Sequence, residues 1–129
     1  MELNVYQKKA METCMPTCEN ISYMLLNLVG EVGEFASKIA KGIRKGEMII
    51  KDNQLFLDSR QFTEENIDKM KESLMAEAGD IGWQLSGLCS VMGLDLEEVA
   101  EYNLKKLAER KKNGTIVGNG DGITKEERL

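Results

Sequence analysis

The chain has 129 residues, of which 30% are charged and 42% hydrophobic, and a formal net charge of −5. This balance is typical of one soluble domain with a modest core, here residues 1–129, and the acidity argues against a nucleic-acid partner. Three cysteines without any histidine argue against zinc and fit a reducing compartment. The sequence has neither a signal peptide nor an apolar run long enough to span a bilayer, which predicts a cytoplasmic protein without a membrane partner.

The first half of the chain predicts two helices and a non-helical segment. A short helix over residues 5–13 should end before Pro16, because proline restricts the residue that precedes it. A second helix over residues 19–41 should end at Gly42. Its apolar residues recur at a helical spacing and are Met24, Leu28, Val32, Phe35 and Ile39. Residues 47–62 break this pattern, and two short apolar runs around KDNQ predict a hairpin or an extended loop.

The second half of the chain predicts two further helices. Thr63, followed by acidic residues, resembles an N-cap for a long helix that reaches about Met92. Asp95 begins a capping-box-like start for a helix over residues 96–112, and the glycine-rich stretch 113–129 predicts a flexible tail. The expected fold class is therefore all-α, a four-helix bundle of antiparallel helices with a loop or hairpin insertion and a glycine-rich C-terminal tail.

Carboxylates border the apolar face of both long helices, in the segments NLVGEVGEFASK and SLMAEAGDIGWQ. At about 100° per residue, Glu31 and Glu34 lie beside the apolar stripe of the first helix instead of opposite it. Glu77 and Asp80 occupy the corresponding positions in the second. Two antiparallel helices packed through these stripes would bring the four carboxylates together.

Four carboxylates in one cleft repel one another and lose hydration, so a divalent cation is the expected counterion. Mg²⁺ prefers oxygen ligands, and Mn²⁺ is an alternative. A single E-x-x-E is common on charged helices, but two such motifs in one apolar frame favour a metal site. A di-iron centre would need the histidine of Glu-x-x-His, which this sequence lacks. Gly33 and Gly79 are expected where the helix backbones or a ligand approach closely.

These motifs resemble the MazG-like branch of the all-α nucleoside triphosphate pyrophosphohydrolases. The similarity runs through GEVGEFASKIAK, EAGDIGWQL and NLKKLAERKKNGTIVGNGDG, and it covers most of residues 20–121. In one departure, Gly30 stands where many members have a further glutamate. In another, the stretch between Glu34 and Glu77 is longer than usual, with the extra length carried by residues 43–70.

The resemblance implies hydrolysis of a nucleoside triphosphate to a monophosphate and pyrophosphate, with a role in removing surplus or non-canonical nucleotides. Magnesium would be held by Glu31, Glu34, Glu77 and Asp80. The proton of the attacking water would pass to Glu31 or Glu34, and the sequence does not choose between them.

The resemblance also implies five substrate-binding residues, namely Lys38, Trp83, Asn103, Lys106 and Arg110. Lys38 would contact phosphate, and three residues would contact sugar or phosphate, namely Asn103, Lys106 and Arg110. Each of the three basic side chains could equally be solvated. Trp83 would stack on the base, with a core position as its alternative. The stretch 118–122 resembles a tail that closes over a site, with a disordered terminus as the competing interpretation.

The expected assembly is a homo-oligomer, with a dimer of dimers favoured over a dimer, because the helix pair leaves apolar surface uncovered. The alternative function is a non-catalytic helical module that binds nucleotide or protein. Gly30 and the long insertion support this alternative, whereas the intact metal ligands argue against it.

Overall fold

The computed structural model describes residues 1–58, 60 and 63–115 of the chain. In chain order its elements are α1 (Leu3–Met11), a 3₁₀ turn (Pro16–Cys18), α2 (Ile21–Arg44), β1 (Met48–Lys51), β2 (Gln54–Leu57), α3 (Glu64–Val91) and α4 (Leu96–Lys112). The helical class is therefore confirmed. The segment between the two long helices is a hairpin, in which the two strands pair antiparallel. The predicted tail closure by residues 118–122 lies outside the described residues.

The ends of the long helices follow from local sequence. Asn20 precedes α2, and its side-chain oxygen accepts a hydrogen bond from the Tyr23 amide at 2.8 Å. Thr63 caps α3 as predicted, since its hydroxyl accepts from the Asn66 amide at 3.3 Å. Each cap satisfies an amide that the first turn of a helix leaves unpaired. Gly93 follows α3 with a φ of 71°, a left-handed conformation that glycine adopts without a steric penalty.

Helices α2 and α3 form an antiparallel pair that contains the candidate site. Met24, near the start of α2, packs on Gly87 near the end of α3, while Lys38, later in α2, lies beside Glu77, earlier in α3. Met24 has 0% exposure, and its side chain leaves no room for a Cβ at Gly87. The absence of a side chain at Gly87 is thus what allows this close contact.

The expected roles of the glycines beside the carboxylates need correction. Among the described residues, a Cβ at Gly33 or Gly79 would meet nothing within 4 Å, so neither glycine serves a close approach between the described helices. Close approach occurs instead at Gly87 and at Gly42, where the buried side chain of Met48 packs the hairpin against α2. Whether a ligand approaches Gly33 and Gly79 stays a prediction.

Helix α1 is held to α3 by a tryptophan. The indole Nε1 of Trp83 donates to the Ala10 carbonyl oxygen at 2.9 Å and lies 2.8 Å from the Thr13 hydroxyl oxygen. Both contacts lie at the C-terminal end of α1, so they fix that end against the middle of α3.

Helix α1 also holds the start of α4. The side-chain oxygen of Gln7 accepts from the Leu96 amide at 2.9 Å, and that of Asn4 accepts from the Glu97 amide at 3.2 Å. Asp95 makes no side-chain capping bond, so the predicted local capping box is wrong. The first backbone amides of α4 instead donate to side chains of α1.

The arrangement of all four helices around one common core stays a prediction, because α4 packs principally against α1 within the part of the chain that the structure describes. Across those residues, no helix combines the length and the apolar character needed to cross a membrane.

Candidate active site

Three carboxylates converge where α2 and α3 face each other. Glu31 and Glu34 lie three residues apart and therefore share one side of α2, and the packing of α3 brings Glu77 to them. One carboxylate oxygen of each residue lies within 4.8 Å of the others. Asp80 lies outside this group of three, which we call the carboxylate cluster, although its charge acts on Glu31.

Two oxygens of the carboxylate cluster are buried without a hydrogen-bond partner among the described residues. They are Oε2 of Glu31 and Oε2 of Glu77. An unpaired buried acceptor is costly, and more so when it is charged. Burial raises the pKa of Glu31, as do the nearby charges of Glu34 and Asp80. The ionised cluster therefore needs a positive charge placed among its oxygens.

A hard divalent cation fits this donor set. Such a cation takes carboxylate oxygens as ligands, and Oε2 of Glu31 and Oε2 of Glu77 have no hydrogen-bond donor among the described residues. The residues that would hold it are Glu31, Glu34 and Glu77, with Asp80 beside them. Lys38 places its ammonium 3.7 Å from Oε1 of Glu77. This ion pair compensates the negative charge less than a bound cation would, because the lysine side chain is 42% exposed.

An amide network fixes the orientation of Glu31, and the sequence analysis missed it. Asn27 Nδ2 donates to Oε1 of Glu31 at 3.2 Å and to Oε1 of Gln84 at 2.9 Å. Gln84 is 1% exposed, and its Nε2 donates to the Met24 carbonyl at 3.3 Å. The bond from Asn27 lowers the pKa of Glu31, which partly opposes the effect of burial. The available signal was the helical spacing, because Asn27 lies one turn before Glu31 and Gln84 one turn after Asp80.

The predicted substrate residues fall in three places. Lys38 lies at the carboxylate cluster, in a cavity of about 270 Å³ that Glu34 and Glu77 also line. Trp83 directs its ring nitrogen towards α1, so its proposed stacking on a base stays a prediction. Three residues belong to α4, which packs principally against α1, and they are Asn103, Lys106 and Arg110. Their contacts with substrate likewise stay predictions.

Comparisons with known proteins identify the family of the chain. A family model described as the MazG nucleotide pyrophosphohydrolase domain matches residues 19–115, which include both carboxylate pairs and α4. The Gene 37 protein of Mycobacterium phage L5 is 33% identical over 128 residues, covering 94% of this chain and 98% of that protein. No solved structure gives a significant match. The chain belongs to the MazG nucleotide pyrophosphohydrolase family.

Proposed function

We propose that the protein is a magnesium-dependent pyrophosphohydrolase that converts a ribo- or deoxyribonucleoside triphosphate to its monophosphate and pyrophosphate. The observation that carries the proposal is the pair of buried, unpaired oxygens of Glu31 and Glu77 within the carboxylate cluster. A purely structural role would favour hydrogen-bond donors at these atoms, whereas a bound divalent cation would compensate their charge. Removal of surplus or non-canonical nucleotides is the proposed cellular role.

The residues of this chain divide the work of the reaction. Glu31, Glu34, Glu77 and Asp80 hold the cation, which when bound neutralises the triphosphate and lowers the pKa of the attacking water. Glu31 or Glu34 accepts a proton from that water. The water oxygen bonds to the α phosphorus, and the bond from that phosphorus to the bridging oxygen breaks with its electrons passing to pyrophosphate.

The proposal includes a homo-oligomer, as a dimer of dimers or a dimer, with a second copy covering α2. Beside the stripe that contacts α3, this helix carries a second apolar stripe of at least half-exposed residues, namely Ile21, Leu25, Val29 and Val32. Their spacing of three to four residues places them along one side of the helix. An uncovered apolar stripe of this length favours association in water.

The test of activity is incubation with all common NTPs and dNTPs in Mg²⁺, with chromatographic separation of the products. We expect monophosphate and pyrophosphate from at least one substrate. Glu34→Gln should abolish turnover, whereas Glu72→Gln, which removes an exposed carboxylate from α3, should leave it unchanged. Diphosphate with orthophosphate as products would contradict the proposed cleavage position. No turnover of any substrate would favour the non-catalytic nucleotide-binding or protein-binding alternative.

A parallel series in which Mn²⁺ replaces Mg²⁺ tests which cations support turnover. Both Mg²⁺ and Mn²⁺ should support turnover, because each accepts a set of carboxylate and phosphate oxygens. Activity that persists in a chelator would contradict the assigned role of the carboxylate cluster.

A further inference from the structure

A groove lined by lysines adjoins the carboxylate cluster. It has a volume of about 410 Å³ and lies between the C-terminal part of α2 and the N-terminal part of α3. Its lining residues are Lys38, Lys41, Gly42, Lys45, Glu47, Asn66, Lys69, Met70 and Ser73. Four lysines and one glutamate give this groove a positive charge in a chain whose net charge is −5. This lysine groove therefore differs in sign from the protein as a whole, which is the pattern of an anion site.

The lysine groove lies beside the cavity of the carboxylate cluster and shares lining residues with it. The smaller cavity of about 270 Å³ is lined by Glu34, Ser37, Lys38, Lys41 and Glu77. Lys38 and Lys41 also line the lysine groove, so the two cavities adjoin at these side chains. A ligand that occupies both cavities would have its metal-binding part at one end and its remaining negative charge at the other.

Both helices repeat this order of charges. On α2, Glu34 is followed by Lys38 and Lys41 at four and seven residues, a spacing that places the three side chains on one side of the helix. On α3, which runs in the opposite direction, Glu77 is preceded by Ser73 and Lys69 at four and eight residues. At 1.5 Å per residue, Glu34 and Lys41 are separated by roughly 10 Å along the helix. Within roughly 10 Å the lining thus changes from carboxylates to lysines, a length that suits an extended anion.

The ordinary explanation of these lysines accounts for only part of the arrangement. Basic residues near the end of α2 complement the helix dipole, but this explanation does not extend to Lys69, which lies more than one turn inside α3, where the dipole effect has faded. Its partner is Glu65 at 3.1 Å, and both side chains are more than two-thirds exposed. Such a surface pair is weak and leaves the ammonium available to a ligand.

We infer that the lysine groove binds the diphosphate end of the substrate, the part that leaves as pyrophosphate. This inference rests on the proposed function. Lys41 and Lys69 would donate to the β and γ phosphate oxygens and stabilise the negative charge that the bridging oxygen gains as its bond to the α phosphorus breaks. The nucleoside would then extend from the carboxylate cluster in the opposite direction, towards Asn27 and the N-terminal half of α2.

The test measures how inorganic pyrophosphate binds in Mg²⁺, by calorimetry and as a competitive inhibitor. The double variant Lys41→Gln with Lys69→Gln should weaken pyrophosphate binding about tenfold or more, since two charge-assisted hydrogen bonds are lost. Its affinity for a nucleoside monophosphate should stay within about twofold. Lys71→Gln, an exposed lysine on the same helix, should match wild type, and Lys41→Arg should keep most of the affinity.

The possible results separate this inference from the proposed function. If the double variant binds pyrophosphate as wild type does while wild type hydrolyses nucleotides, the inference is overturned and the proposed function stands. An equal loss of affinity for the monophosphate and pyrophosphate would also overturn it, because the groove would then not be specific for the leaving group. If wild type hydrolyses no nucleotide, the proposed function fails, and selective loss of pyrophosphate binding would still support a diphosphate site in the groove.

Discussion

Replacing Asn27 by alanine tests how the amide network supports the carboxylate cluster. The change removes the donor to Oε1 of Gln84, a side chain that is 1% exposed. A buried acceptor left without a partner costs about 1–3 kcal/mol. For a chain of 129 residues, each kcal/mol lowers Tm by about 3–4 °C, so we expect a loss of roughly 3–12 °C without metal.

The same substitution should weaken metal binding. Asn27 donates to Oε1 of Glu31, and this bond both orients the carboxylate and lowers its pKa. Without it the pKa of Glu31 rises further, so protons compete more strongly with the cation. Loss of a group that orients a metal ligand typically lowers affinity about 10–100-fold. The deficit should be larger at pH 6 than at pH 8, because more of the carboxyl is then protonated.

The assay combines thermal melts in a chelator with calorimetric titration of Mg²⁺ at the two pH values. Asn103→Ala removes the same atoms from an exposed position on α4 and should change neither Tm nor Mg²⁺ affinity. A lower Tm with unchanged Mg²⁺ affinity would mean that Asn27 only supports Gln84. Wild-type behaviour in both measurements would refute the role of the network.

Three further predictions concern charge and packing. Glu77→Gln should keep or raise the metal-free Tm, because it relieves repulsion, yet abolish the Tm increase that Mg²⁺ causes in wild type; an unfolded variant would instead show a structural carboxylate. Because the folded state raises the pKa of Glu31 above its ordinary value of 4.5, its charge destabilises the metal-free protein at neutral pH. This penalty should fade as the pH falls from neutral towards 4.5, and the resulting rise in Tm should be smaller in Glu31→Gln. Gly87→Ala should destabilise by about 1–3 kcal/mol through its clash with Met24, whereas Gly79→Ala, in open space, should stabilise by up to about 1 kcal/mol in urea unfolding; equal effects would contradict the packing described.

Local spacing was sufficient to predict the carboxylate cluster. Glu31 and Glu34 share a side of α2 in any α-helix, and the same apolar frame around Glu77 indicated which side of α3 would meet them. The face of α2 that contacts α3 was harder to predict. Val32 was expected in the contact but is 50% exposed, because the contact face of α2 is rotated towards Glu31. Apolar periodicity does not anticipate a polar residue at a helix contact.

Interactions between distant segments explain the other errors. The sequence around Asp95 matches a local cap, yet the amides at the start of α4 are satisfied by Asn4 and Gln7 from the other end of the chain. Similarly, nothing near Gly87 indicates that Met24 packs on it. Such pairings depend on which surfaces meet after the helices have formed, and one sequence contains no local trace of them.

Helix α1, which is nine residues long, connects α3 to α4. Its C-terminal end binds Trp83 of α3, and its N-terminal end binds the first turn of α4. The helix pair with the carboxylates and the helix with Asn103 are therefore held by the same short helix. Changes in α1 can alter the placement of α4 without touching a metal ligand. If α4 contacts substrate as proposed, changes in the first dozen residues would alter substrate preference, and a purification tag fused there would be a poor choice for measuring specificity.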